Sequence, residues 1–293
     1  MRLIQRVFVT NTVPYLKLLR PIQWLKNLLI YFPPFLGGAI LQPDIAMRGV
    51  LPLFSFCMAS SAGYIFNDIH DCDNDRRHPD KKTRPLPSGR ISIGGAYLLA
   101  VTLASIAGVI AWTVSATFLM YLTVYLLLTL AYSLCLKKYA LIDIFCISAG
   151  FLLRLEAGGA VFDIQISEWL FLSVFLLSVF LGTGKRLSEK RRLGTAAVHH
   201  RKVLDVYPEG FLEGAMYMTG AAVLVTYTMY VISSHSGILI YTVPLCTFGL
   251  LRYLIRIQSG KDGDPTESLT RDIPLLLVSM LWVCMVGWGI YIK

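Results

Sequence analysis

Charge is scarce in this chain. Asp, Glu, Lys and Arg make up 15% of its 293 residues, while 55% are hydrophobic. A soluble domain carries about 25% charged residues, so the deficit excludes an ordinary water-soluble fold. Cysteine is sparse as well. Cys57, Cys72, Cys135, Cys146, Cys246 and Cys284 form no C-x-x-C pair, and most fall inside apolar runs, as small buried side chains do. No His pair has zinc-protease spacing, and neither a P-loop nor a G-x-G-x-x-G turn after a strand pattern occurs. The N-terminus has basic residues but only a short apolar patch before Pro14, which does not read as a cleavable signal peptide. The net charge is +9, yet the Lys and Arg residues are divided among short segments, which argues against a nucleic-acid surface.

What the chain has is apolar length. Windows near 20 residues, rich in Leu, Ile, Ala and Gly, read as membrane-spanning helices rather than barrel strands. Nine spans are expected, near 22–41, 49–66, 93–112, 116–135, 141–161, 169–187, 211–232, 236–255 and 273–291. The N-terminal arm, with Arg2, Arg6, Lys17 and Arg20, is basic, and so are the loops after spans two, four, six and eight. The other connections carry almost no Lys or Arg, so the positive-inside rule places the N-terminus inside and the C-terminus outside. The expectation is an all-α integral membrane protein, one domain over 1–293, multi-pass in the cytoplasmic (inner) membrane, with its polar groups in a cytoplasmic cap.

The second span ends in Asn67-Asp68-Ile69-His70-Asp71-Cys72-Asp73-Asn74-Asp75, four carboxylates within eight residues. Asp68, Asp71 and Asp75 stand at i, i+3 and i+7 and share one helical face, with Asn67 beside it and Asp73 pointing away. Like charges this close repel unless a cation sits among them. Mg²⁺ held by Asn67, Asp68, Asp71 and Asp75 suits the pattern, since that ion usually completes its shell with substrate phosphates. The alternative is a solvated acidic helix end. A basic run follows, Arg76-Arg77-His78-Pro79-Asp80-Lys81-Lys82-Thr83-Arg84-Pro85, in which Lys81 and Arg84 suit phosphate oxygens. The positive-inside rule accounts for the sign of that run but not for the acidic face beside it.

Other polar groups stand where apolar ones are expected. Arg20, Gln23, Lys26 and Asn27 cluster at the start of the first span, after Pro21, with Trp24 opposite as an interfacial anchor. Lys26 and Asn27 need partners or must snorkel. Tyr132, Lys137, Lys138 and Asp143 line the loop between spans four and five, and Arg154 lies three turns after Asp143 on the same face. A charge that deep is a site candidate, with a structural ion pair as the alternative. Lys185 and Arg186 end span six, where Lys185 and Glu189 are spaced to pair with each other. His199 and His200 read as solvated loop residues.

N-D-x-x-D-x-x-x-D at Asn67, Asp68, Asp71 and Asp75, followed by Arg84-Pro85-Leu86, resembles the UbiA superfamily of intramembrane prenyltransferases across almost the whole chain. The aromatic prenyltransferases of that superfamily carry a second aspartate-rich motif after span six. Here that position reads Gly184-Lys185-Arg186-Leu187-Ser188-Glu189. Arg20-Pro21, Gln23-Trp24, Lys26-Asn27, His78-Pro79, Lys81, Arg84-Pro85, Gly150-Phe151, Arg154 and Gly184-Lys185-Arg186 are similar to its decaprenyl-phosphate phosphoribosyltransferase branch, whereas Glu156 is not part of that pattern.

The resemblance implies a UbiA-like helical bundle and an Mg²⁺-dependent enzyme. It would move a 5-phosphoribosyl group from phosphoribosyl diphosphate to a polyprenyl phosphate of decaprenyl type, releasing diphosphate, for cell-envelope arabinose-donor synthesis. Asp68, Asp71 and Asp75 would act catalytically through the cation. Arg20, Lys26, Asn27, Lys81, Arg84, Tyr132, Lys137, Asp143, Arg154, Lys185 and Arg186 would bind substrate. Two other readings stand beside it. One is an aromatic-acid polyprenyltransferase using a prenyl diphosphate. The other is a non-enzymatic transporter, whose site would lie at the midplane within inverted repeats.

Overall fold

A computed structural model describes residues 14–77, 81–193, 203–234 and 236–292. The expectations placed on Arg2, Arg6, His78, Pro79, His199 and His200 lie outside the described residues. The described residues are helical, without strands. Eight helices among them are long and apolar enough to cross a membrane.

The expected first span is the exception. Residues there form a 3-10 helix, Pro21–Tyr31, and a short helix α1, Phe32–Leu36, rather than one long α-helix. Pro33 and Pro34 stand in the first turn of α1, where a missing N–H is tolerated, but neither can donate back to the preceding turn. The remaining expected spans agree with long helices to within a few residues.

The chain divides into two compact units, residues 1–28 with 50–136, and residues 29–49 with 137–293. In the first unit, α3 (Val50–His70) is followed by the short α4 (Cys72–Arg77), and α5 (Ile93–Val114) and α6 (Ala116–Leu134) pack against α3. Ser92 and Ser115 cap α5 and α6 by accepting from the Gly95 and Phe118 N–H groups, each at 3.1 Å. The rings of Phe118 and Tyr125 meet Phe56 at 5.7 and 5.4 Å between centroids. The Ser55 hydroxyl donates to the Ala107 carbonyl at 2.9 Å, so a polar group buried between α3 and α5 is satisfied.

In the second unit, α2 (Pro43–Arg48) and α1 lie on α7 (Ile142–Phe162). Next, α8 (Glu168–Leu193) packs on α7 and on α10 (Phe211–Ser233), which follows the one-turn α9 (Val203–Val206). Then α11 (Thr242–Gln258), α12 (Pro265–Arg271) and α13 (Ile273–Tyr291) complete the unit. Its core gathers Ile144, Phe180, Leu187, Leu212, Met216 and Tyr253. Gly158 faces the backbone of Ile30, so that a Cβ there would collide with the Ile30 carbonyl oxygen. Small residues permit such close approach in helices that gain little from the hydrophobic effect inside lipid. The outward faces carry large apolar side chains, with Leu98 70% and Trp112 77% exposed, a surface suited to hydrocarbon rather than water.

Candidate functional site

In the first unit the acidic motif straddles the joint between α3 and α4. The Asp71 N–H donates to the Asn67 carbonyl at 2.9 Å, and the Asp75 N–H to the Asp71 carbonyl at 2.8 Å. The helical ladder therefore continues across the joint and holds the carboxylates in the helical register expected from their spacing. Asp68 is 3% and Asp75 4% exposed, while Asp73 is exposed and pairs with Arg76 at 2.8 Å. The Asn67 carboxamide donates to Asp71 at 3.1 Å.

Two guanidiniums compensate the buried pair. Arg20 Nη2 reaches Asp68 Oδ1 at 2.5 Å and Oδ2 at 2.8 Å. Arg84 Nη1 meets Asp75 at 2.7 Å and Asp68 at 3.4 Å, so both carboxylates share one nitrogen. Arg20 also lies over the Tyr64 ring, 5.3 Å from its centroid. Burial pushes the Asp75 carboxyl above its ordinary pKa; Arg84 and Lys81 pull it down, and Asp68 and Asp71 push it further up.

Arg20 is delivered by a strained backbone. Its φ is +53°, and it immediately precedes Pro21. A non-glycine residue costs about 1–3 kcal/mol in such a conformation and holds it only when its surroundings enforce it. Ser61 supplies part of that enforcement, donating to the Leu19 carbonyl at 2.8 Å and accepting from the Trp24 indole N–H at 2.9 Å. Trp24 is thus tied to α3 through its indole N–H. Asn27 is fully buried and donates to the Ser60 hydroxyl at 3.2 Å, so it packs the helix pair rather than snorkelling. Lys26 is half-buried, as are Lys81 and Tyr132.

These donors suit a hard dication in kind: oxygen ligands on adjacent turns, two of them buried and already requiring positive charge. As placed, no three Asp, Glu, His or Cys side chains among the described residues converge to hold an ion. Arg20 and Arg84 supply the charge instead.

In the second unit, Arg186 is 1% exposed and pairs with Asp143 at 2.6 Å and with Glu189 at 3.0 Å. The Tyr207 hydroxyl donates to Asp143 at 3.0 Å and accepts from the Leu141 N–H at 2.7 Å. Burial drives the Tyr207 hydroxyl up to about 12. Asp143 and Arg186 therefore belong to a buried network at the head of α7, not to an open phosphate-facing surface. Arg154 is buried and donates to the Gly150 carbonyl at 2.6 Å, one turn back along its own helix. Lys137 is half-buried in the turn before α7.

Lys185 does not pair with Glu189. Its ammonium meets Asp264 at 2.9 Å, and its side chain stays 41% exposed. Asp262 pairs with Arg192 at 2.7 Å, and Ser188 donates to the Lys261 carbonyl at 2.8 Å. The acidic groups on the end of α8 thus come from the loop after α11. The signal for that loop was Asp262-Gly263-Asp264-Pro265-Thr266-Glu267, a helix start with Asp at the cap and Pro following.

The chain matches the UbiA prenyltransferase family over residues 31–282. It is 32% identical over 293 residues to a decaprenyl-phosphate phosphoribosyltransferase of Mycolicibacterium smegmatis, covering 94% of this chain and 92% of that one. A protein of the same name from Corynebacterium glutamicum is 32% identical over 288 residues, covering 94% and 86%. The solved UbiA homolog from Archaeoglobus fulgidus bound to GPP and Mg²⁺ is similar in fold, with a TM-score of 0.73 at 22% identity over 94% of this chain and 99% of that one. The family match covers most of the chain, the relatives align nearly end to end, and the solved fold is shared; this protein belongs to the UbiA prenyltransferase family.

Proposed function

We propose that this protein transfers a 5-phosphoribosyl group from phosphoribosyl diphosphate to a polyprenyl phosphate of decaprenyl type, releasing diphosphate. The observation that carries the reading is the buried Asp68/Asp75 pair with Arg20 and Arg84 packed onto it, backed by relatives at 32% identity that bear this activity's name. The C1–O bond to the diphosphate breaks, and a C1–O bond to the lipid phosphate forms. Asn67, Asp68, Asp71 and Asp75 are the residues that would hold Mg²⁺, which neutralises the leaving diphosphate when bound.

Arg84 and Lys81 give charge-assisted hydrogen bonds to the diphosphate oxygens. Arg20 orients Asp68, its Nη2 reaching both carboxylate oxygens while the guanidinium lies over the Tyr64 ring. Lys185 is a cation for a phosphate monoester, with an exposed ammonium and spare donors. The acceptor is a phosphate oxygen that is already ionised at neutral pH, so no strong general base is required. The rate then rests on positioning and on fixed charges. The same reading keeps the chain as one membrane domain with its charged ends on the cytoplasmic side.

The test uses purified protein in detergent, Mg²⁺, radiolabelled phosphoribosyl diphosphate and a polyprenyl phosphate. Label should enter the organic phase and stop doing so with chelator. No transfer, beside an active control enzyme, would overturn the reading.

A further inference from the structure

We propose that Asp264 is a positioning residue for Lys185, fixing its ammonium so that the unspent donors face an anionic, phosphate-bearing ligand. The inference rests on the reading of Lys185 as a phosphate-binding cation. Asp264 is 8% exposed and is held from its own side. It caps α12, its Oδ1 accepting from the Thr266 and Glu267 N–H groups at 3.1 and 3.3 Å. Oδ2 accepts from the Lys185 ammonium at 2.9 Å. Its backbone N–H is pinned in turn to Asp262 at 2.8 Å.

The loop is seated on the face of α8 that carries Lys185, Ser188 and Arg192, at i, i+3 and i+7. Each of the three makes a hydrogen bond to residues 261–264. Gly263 lets the loop lie on the helix: a Cβ there would sit 2.8 Å from the Ser188 Cβ and 2.9 Å from the Gly184 carbonyl oxygen. An ammonium has three donors, and Asp264 takes one. The other two have no protein partner among the described residues, on a side chain that remains 41% exposed. A lysine stem is flexible and loses rotamer freedom on gripping a ligand. A carboxylate immobilised by a helix cap removes that freedom beforehand.

The experiment measures transfer by the full chain in detergent with Mg²⁺, with KM determined for each substrate in turn. Asp264→Asn keeps a good helix cap and removes the charge. One of the two KM values should rise by about tenfold with kcat within about twofold, the fold-change of one lost charge-assisted contact. Lys185→Met should raise the same KM, and the double variant should be no worse than Lys185→Met alone. Unchanged KM values in Asp264→Asn, a lowered KM, or additive losses in the double variant would overturn the inference. Lys185→Met with wild-type constants would remove Lys185 from the site and the inference with it. A wild type that transfers nothing would overturn the functional reading itself, a result distinct from any Asp264 outcome.

Discussion

Arg186 on α8 reaches Asp143 at the head of α7 at 2.6 Å, and neither side chain is open to water. Tyr207 also donates to Asp143, and Arg186 also donates to Glu189. Breaking a buried ion pair by removing one partner costs about 3–5 kcal/mol. Arg186→Ala and Asp143→Ala should each lower the unfolding midpoint in detergent sharply, and the double variant should lose less than the sum. Additive losses would show that the two charges do not depend on each other.

Arg20 and Asp68 should behave differently, as parts of the site rather than of the core. Arg20→Lys keeps the charge but loses the planar guanidinium that reaches Asp68 at 2.5 and 2.8 Å through Nη2 and lies over the Tyr64 ring. Hydrogen bonds to charged groups contribute about 1.5–3 kcal/mol. Transfer should fall by about tenfold to a hundredfold in kcat/KM, with an unfolding midpoint close to wild type. A fully active Arg20→Lys would show that the guanidinium is dispensable.

Asp71 is the half-buried member of the acidic face and accepts from the Asn67 carboxamide at 3.1 Å. Asp71→Ala should abolish transfer and weaken Mn²⁺ binding, followed by the paramagnetic signal of the ion with no substrate present. Wild-type Mn²⁺ binding would take Asp71 out of the ligand set.

The acid limb of the reaction should reflect Asp75. Burial raises its carboxyl above the ordinary range, so its ionised form is lost as pH falls through a value higher than about 3.9. Transfer should therefore decline on acidification before an exposed carboxylate would titrate. For folding the sign is opposite. A raised acid pKa means that ionised Asp75 opposes the folded state above that pKa, and protonation relieves it. An acid limb lying at or below the ordinary carboxylate value would contradict this assignment.

Gly158→Ala forces a Cβ onto the Ile30 carbonyl oxygen, and overpacking of that kind costs about 1–3 kcal/mol. Gly108→Ala, in α5 with open space around it, should be neutral or stabilising by up to about 1 kcal/mol. Thermal unfolding of the two variants in detergent checks the contrast, and equal midpoints would negate it.

The spans from α3 onward were legible because a helix that crosses lipid must be continuous and apolar for its whole length. The segment 22–41 met the hydropathy condition but not the second one, since Pro33 and Pro34 interrupt the ladder. The acidic face at Asp68, Asp71 and Asp75 was legible for a similar reason, a period of 3.6 acting over seven residues. Lys185 and Glu189 had suitable spacing, yet Arg186 takes Glu189 and Asp264 takes Lys185. Spacing along one helix says which charges can meet, not which partner arrives from 79 residues away.

Composition and periodicity thus determined by themselves that this protein is helical, apolar and membrane-spanning with a carboxylate face, while the family came from the motif's resemblance to known members. Those are properties of local chain segments, set by hydrogen-bond repeat and transfer to an apolar medium. Tertiary structure alone decided that Arg20 and Arg84 neutralise Asp68 and Asp75, that Arg186 is buried on Asp143, and that Lys185 is left exposed beside Asp264. Each of these is a choice among several oppositely charged groups. It is settled by desolvation and backbone geometry, which exist only once distant segments have packed.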